Sequence, residues 1–502
     1  MAHTRKITRP DGTRFYQVRW RTPDGKHRTK GGFPTKRAAE DYVNEVDYAQ
    51  RRSTTFDPKS GDVTFREAAQ DWLTSRHDLK RSTHAGYEAA LAPKCSAGNN
   101  GTDSSTEVKN ARRDAVNAAG RAKRQALSID ATFGSYPINK ITRTQISEWV
   151  SAMAAAGSKP STVRHAFFIV RMVLAQAAVD GRLTTNPADY VRLPSERSAV
   201  SGTPGVVDDP AQFLTAAQVA ALVAATPWPY NVTVHLAAWA GLRAAELCGL
   251  QVCDVDLPEP TLNPNAPAKP GMLRVERTVL QIDGVLTYDS PKTRGSRRTV
   301  PLPPELTAVL RDYLAEHPHG PTSADPDPTA PLFPGFGLTP SKPAGTASTD
   351  KAGRRIVPTP EEVRGALSVQ EACDQLTLDW FAVLRHGTFY RYVYRPAVLR
   401  AIRLGTDPST VCSADATTRA GADLPPALRF HALRHTYASL CVAAGLRALA
   451  IAKFMGHSKV TTTMTVYAHL FEDDHSDAMT ALGSMATPRP TAENVVPIRR
   501  TG

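Results

Sequence analysis

Residues 429–440, RFHALRHTYASL, and residues 456–470, GHSKVTTTMTVYAHL, are the part of this 502-residue chain on which the reading of the rest depends. Four of their side chains handle phosphodiesters by type: His431 and His457 move protons, Arg434 holds phosphate oxygens, and Tyr467 offers a nucleophilic phenol. If HALRHTYASL is helical, His431 and Arg434, three apart, share one face. His431 and His435, four apart, would also suit a metal. Ala432 follows the first histidine, however, and no third ligand comes at a familiar interval, so no metal is expected. A packed helix with incidental polar residues would explain this stretch taken alone.

Upstream text raises the same chemistry twice more. In VTVHLAAWAGLRAAELCGLQVCDVDL an apolar helix pattern reaches Gly241, and a second begins at Leu242 with Arg243 and Glu246 three apart. An arginine in such surroundings needs a partner, and Glu246 is the local one; a structural salt bridge would suffice. Residues 273–279 and 286–288 read as strands. SPKTRGSRRTVPLP (290–303) then places Lys292 at a turn and a return strand at 299–302. Arg294, Arg297 and Arg298 form either a solvated basic tip or a phosphate contact. Residues 317–360, crowded with Pro, Gly, Ser and Thr, read as loop or disorder, with helix returning over 361–384 and order over 389–402.

The formal net charge is +13, which favours a polyanionic partner. Residues 1–60 carry fourteen Lys/Arg against seven Asp/Glu, a net of +7, so the excess is concentrated there. Alternation in that region puts Tyr16, Val18 and Trp20 on one face and Phe15, Gln17, Arg19 and Arg21 on the other. With Asp-Gly turns, three short strands are predicted, then a helix from Thr35. A basic sheet face of this kind can enter a DNA groove, which makes Arg14, Arg19 and Arg21 contact candidates; the alternative is a solvated hairpin. A capping box at Thr64 and Glu67 opens a helical bundle. Its later helices run over 82–90, from the Thr142–Gln145 box, and over 161–179. Lys80, Arg81, Lys159 and Arg164 near helix starts are further phosphate candidates or ordinary exposed helix ends. No run of about 18 apolar residues or signal-peptide pattern is seen, so a cytoplasmic, nucleoid-associated protein without membrane contact is expected. Six scattered cysteines give neither a disulfide framework nor a zinc site.

Taken together, AGLRAAELCGLQVCDVDL, SPKTRGSRRTVPLP, FHALRHTYASL and GHSKVTTTMTVYAHL resemble, in order and spacing, the boxes of the tyrosine recombinase (phage integrase) family. The resemblance implies a multidomain chain, mainly α with small β-sheets. It would comprise an arm-type DNA-binding domain at 1–55 (three-stranded sheet plus helix) and a helical core-binding domain at 63–194 with an insertion at about 95–128. A linker at 195–212 leads to a mixed α+β catalytic domain at 213–485, with an insertion at about 317–386, and a tail at 486–502. It implies a site-specific recombinase in which Tyr467 attacks DNA to give a 3′-phosphotyrosine. Arg243, Arg434 and His457 would hold the phosphate, Lys292 would protonate the leaving oxygen, His431 would act as base, and Glu246 would support them. Arg294 would contact DNA. No cofactor is implied. The implied partners are double-stranded DNA with core and arm sites, three further copies in a tetramer on two duplexes, and an excisionase or host DNA-bending protein. A conjugative-transposon or chromosome-resolving recombinase is the alternative, and a non-catalytic DNA-binding regulator a more distant one.

Overall fold

The period-two text RFYQVRWR forms the strand Arg14–Arg21, which buries Val18 and Trp20 and leaves Arg19 and Arg21 exposed. It is the centre of an antiparallel sheet between His3–Thr8 and His27–Phe33. The helix Lys36–Arg51 covers one face with Ala39, Tyr42 and Val46. Register places His3 opposite Arg19 and His27 opposite Arg21, so the uncovered face carries both arginines with two histidines. Arg14 has the parity of the covered face but lies exposed at the strand's start. On the covered side Lys30 sits 4.2 Å above the Tyr42 ring.

The computed structural model describes residues 2–51, 62–92, 125–194, 209–259, 269–339, 358–407 and 416–467, apart from breaks at 9, 11, 22–26, 283 and 292–293, together with 122, 348–349, 355–356 and 470. Most of the insertion read at 95–128, most of the linker and the tail lie outside these residues. Two units divide the chain, Met1–Ser201 and Gly202–Gly502.

In the first unit, Thr64 and Glu67 cap the helix Phe65–Ser75 reciprocally, and Thr142 and Gln145 do the same for Arg143–Ala155. Their apolar faces meet Pro160–Val179 around Trp72, Phe133, Trp149, Phe167 and Val170. This last helix is no unbroken apolar run, being interrupted by Arg164, His165, Arg171 and Gln176. By length and composition its 20 residues are still long and apolar enough to cross a membrane. It instead buries Val163, Phe167, Val170, Val173 and Leu174 in the bundle. Replacing Thr142 with alanine removes the side-chain acceptor for the Gln145 N–H. It should lower stability by about 1 kcal/mol, read by urea denaturation of the full chain; an unchanged midpoint would refute a capping contribution.

In the second unit, the helix Tyr230–Ala240 is buried on almost every side. It ends at Gly241 with φ +62, where a Cβ would lie 2.2 Å from the Tyr437 ring, so glycine is required both by backbone and by space. The chain then turns into the single-turn helix Ala244–Leu247. Residues 273–279, expected as one strand, divide between two ladders. Gly271–Val275 pairs with Val255–Asp256 and Arg298–Leu302, whereas Thr278–Ile282 pairs with Val285–Asp289.

The expectations about the following region are met in part. Residues 317–333 are loop, as one of the two readings had it, but an ordered one that leads into the strand Pro334–Leu338: Ala330, Leu332 and Phe333 are core residues, and the N–H groups of Val252 and Leu332 donate to Ala330 O and Leu250 O. The stretch expected as helix over 361–384 is helical only at Pro360–Gly365 and Val369–Asp374. LTLDWFAV then alternates with period two and forms the strand Leu376–Val383, paired with Pro334–Leu338. Three helices close the unit, Ala432–Ala443, Ala448–Met455 and Val460–Tyr467, packed around Tyr437, Ala438, Cys441, Ile451, Met455 and Tyr467.

Candidate active site

Arg243 is the N-cap of its short helix, and Glu246 lies in the first turn. The carboxylate accepts from the Arg243 backbone N–H at 2.9 Å and from its Nη1 at 2.8 Å. A second guanidinium grips the same carboxylate: Arg298 Nη1 and Nη2 donate to Oε1 and Oε2 at 3.0 and 2.9 Å, with both side chains 2–3% exposed. Burial alone would raise the Glu246 pKa. The hydrogen bonds and charge of Arg298, then those of Arg243, outweigh it and hold the carboxyl at about 2, against an ordinary 4.5. A carboxyl depressed on folding stabilises the fold above its unfolded pKa, and that stability is lost as pH falls through its folded one. Between about pH 4.5 and 2 the chain should therefore lose about 3 kcal/mol through Glu246. Urea denaturation at stepped pH would read this, with a shallower acid limb in a Glu246→Gln/Arg298→Met variant; identical limbs would contradict it.

Arg298 corrects the sequence reading, which put it on a solvated tip or at a phosphate. It begins the strand Arg298–Leu302, where it shares the buried parity of Val300 and Leu302. That alternation was the available signal.

Three guanidinium groups can gather here because one helix end receives them. The last carbonyls of Ala448–Met455 lack intrahelical partners and sit at the negative end of the dipole. Phe454 O accepts from Arg298 Nε, Met455 O from Arg434 Nη2 at 2.7 Å, and Gly456 O from Arg243 Nη2 at 3.2 Å. Arg434 also donates Nη1 to Gly241 O. It is 3% exposed; burial first, then Arg243, lowers its pKa to about 9, so it stays charged at neutral pH. Arg243 is more open, at 40% side-chain exposure. With one carboxylate for three guanidiniums, the site has a net positive charge and suits an anion.

Gly456, in the left-handed region at φ +65, ends this helix and directs the chain to His457. His457 Nδ1 lies 2.7 Å from the buried Thr463 hydroxyl. Desolvation, then Arg434, Arg243 and Arg298, lowers its pKa to about 4, so the ring is neutral at pH 7. If Nδ1 accepts from Thr463, the proton is on Nε2, available to an anion. Thr463 was not singled out in the sequence. Its spacing from His457 carries no signal until the helix is placed.

His431 occupies the position before Ala432–Ala443, exposed and without a side-chain capping bond; partial desolvation, then Arg434 and Arg243, holds its pKa below the ordinary value. Tyr467 is 2% exposed, and burial pushes its phenol up to about 12 although Arg434 lowers it. Its hydroxyl lies 2.9 Å from Nδ1 of His435, a residue that in the sequence suggests only a metal ligand. The structure thus brings together Arg243, Glu246, His431, Arg434, His457 and Tyr467. Lys292 lies outside the described residues, as does the side chain of Arg294.

The other candidates belong to the first unit. Lys80 and Lys159 are N-cap residues, Arg81 begins its helix, and all three are exposed. Arg164 is half-buried and donates to Pro194 O at 3.2 Å.

The phage integrase family model matches residues 407–473. That segment includes His431, Arg434, His457 and Tyr467; Arg243 and Lys292 fall before it. The integrase of Mycobacterium phage D29 is 26% identical over 190 residues, covering 38% of this chain and 44% of that protein. The chain therefore spans less than half the length of this relative. A XerC-like tyrosine recombinase of Caldanaerobacter subterraneus subsp. tengcongensis is 21% identical over 359 residues, 69% of this chain and 72% of that protein. Among solved structures, the Tn1549 transposon integrase in complex with transposon right end DNA aligns with TM-score 0.45 and 18% identity, covering 84% of this chain and 99% of that one.

Proposed function

We propose, from the match of residues 407–473 to the phage integrase family model, that the chain is a site-specific DNA recombinase that cuts and rejoins DNA through a 3′-phosphotyrosine, integrating and excising a phage or other integrative element. The observation that carries this reading is the gathering of Arg243, Arg298 and Arg434 on the carbonyls of one helix end, with Glu246 pairing only the first two, beside two imidazoles and the Tyr467 phenol. Such a site attracts a phosphodiester and supports the added charge of its transition state with fixed cations.

In the proposed reaction, Tyr467 attacks phosphorus in line and the DNA 5′-oxygen leaves, protonated by Lys292. Arg243 and Arg434 hold the non-bridging oxygens, and His457 donates from Nε2. The resemblance gives His431 the phenolic proton. Its closeness to Arg243 and Arg434 favours a place at the phosphodiester, and the destination of the proton is argued below. The retained bond energy lets a 5′-hydroxyl of a second duplex religate the strand without a nucleotide cofactor.

Residues 1–55, through Arg19 and Arg21, would contact arm-type DNA, with Arg14 at the edge of that surface. The bundle at 63–194, through Lys80, Arg81 and Lys159, would contact core DNA. Four copies would act on two duplexes, in the cytoplasm and on the nucleoid, with an excisionase or DNA-bending protein setting direction.

A selection from random DNA lets the protein choose its own target. The full chain is incubated with a randomised library of nicked duplexes that lose the 5′-hydroxyl fragment on cleavage, and SDS-resistant protein–DNA adducts are recovered and sequenced. Enrichment of one core sequence joined through a 3′-phosphate to tyrosine is expected. Absence of any adduct, with specific binding retained, would favour a non-catalytic DNA-binding protein instead.

A further inference from the structure

Among the described residues, Tyr467 Oη has one hydrogen-bond partner, Nδ1 of His435, at 2.9 Å. The two rings meet edge to face with centroids 5.8 Å apart. His435 is fixed from other sides as well: the His431 ring lies perpendicular to it at 4.9 Å, and the Phe213 ring touches it at 6.4 Å. Phe213 belongs to the segment before the helix Ala216–Ala224, whose neighbour Leu214 is tied to the Arg434 helix by a backbone bond to the Thr436 hydroxyl. No hydrogen bond joins His431 to Tyr467 among the described residues.

Resting on the recombinase reading above, we propose that His435 is a further catalytic residue: its Nδ1 takes the proton of Tyr467 as the phenol attacks, and returns it on religation.

A general base must stand within hydrogen-bond reach of the proton it removes, and His435 Nδ1, 2.9 Å from the phenol, already does so before DNA is bound. Burial, then His431 and Arg434, holds His435 at about 4, so at neutral pH it is an uncharged acceptor. A bound phosphodiester would bring negative charge to the neighbouring arginines and favour the imidazolium once formed. The step balances: the Oη–P bond forms, the P–O5′ bond breaks, the phenolic proton passes to Nδ1, and the leaving oxygen takes its proton from Lys292. Religation reverses each transfer. At rest the same contact keeps the hydroxyl protonated and buried.

The test uses the full chain and the nicked duplex enriched in the adduct selection. His435→Phe should lower single-turnover cleavage about 100-fold or more, and so should His435→Asn, whose Oδ1 can accept the hydrogen bond near the Nδ1 position but cannot take the proton. Two rescues separate a base from a packing residue. A fluorinated tyrosine at 467, whose phenol ionises nearer neutral pH, should restore His435→Phe. A substrate with a 5′-bridging sulfur, which needs no acid, should not restore it and should restore Lys292→Met. Wild-type cleavage by His435→Phe, or failure of the fluorotyrosine rescue, would overturn the inference while leaving the recombinase reading intact. Failure of the unaltered chain to form any adduct would overturn that reading instead.

Discussion

Tyr467→Phe is expected to leave the chain folded and to reduce the SDS-resistant DNA adduct to background. The substitution keeps the ring that packs with Tyr437, Ile451 and Met455 and removes only Oη. Without it, no atom at this position can form a bond to phosphorus. The lost hydrogen bond leaves His435 Nδ1 without its 2.9 Å partner, at a cost of about 1–3 kcal/mol, well short of unfolding a unit of this size. The nearest rival is Tyr437, 6% exposed, pressed against Gly241, its phenol raised far above the ordinary range by burial. Persistence of the adduct in Tyr467→Phe would show that another nucleophile acts, and Tyr437→Phe in the same assay would identify or dismiss that one. Specific DNA binding by Tyr467→Phe should be unchanged, since Arg243, Arg298 and Arg434 keep their partners.

Arg298→Met should be the most destabilising single change at the site, by about 3–5 kcal/mol, because Glu246 would stay ionised and buried with its bidentate partner gone. Two further contacts go with it, to Ser296 O and Phe454 O. The paired variant Glu246→Gln/Arg298→Met removes both charges and should recover much of the lost stability, since an apolar replacement of a buried pair is often close to neutral. Its cleavage should stay low. Arg243 would lack the carboxylate that orients it, and the 454–457 turn would lose one of its three arginine contacts. Recovery of both stability and cleavage would mean that Arg298 acts only on the fold. A stability loss under about 1 kcal/mol in Arg298→Met would mean that the pair is not buried as described.

Much of this was legible in the sequence because it depends on neighbours along the chain. The alternation around Val18 and Trp20, the capping boxes at Thr64 and Thr142, and the pairing of Arg243 with Glu246 each span two to four residues. The misreadings share one cause. Residues 317–338 have the composition of a loop, yet Leu332 and Phe333 reach the core, and the Leu332 N–H is met by Leu250 O, some eighty residues upstream. Residues 376–383 follow a helical pattern closely enough to be grouped with it, although Leu376, Leu378 and Trp380 alternate.

By itself, the sequence determined the candidates for the site: His431, Arg434, His457 and Tyr467 within forty residues, with Arg243 and Lys292 proposed from far upstream. The tertiary structure decided which of these groups touch. It seated Arg243, Arg298 and Arg434 on three successive carbonyls of one helix end, moved Arg298 from an exposed tip to a buried carboxylate, and set His435 rather than His431 against the phenol. The physical reason is range: periodicity fixes which face of an element a residue occupies, whereas the partner of a buried charge is chosen by whichever distant segment packs against that face.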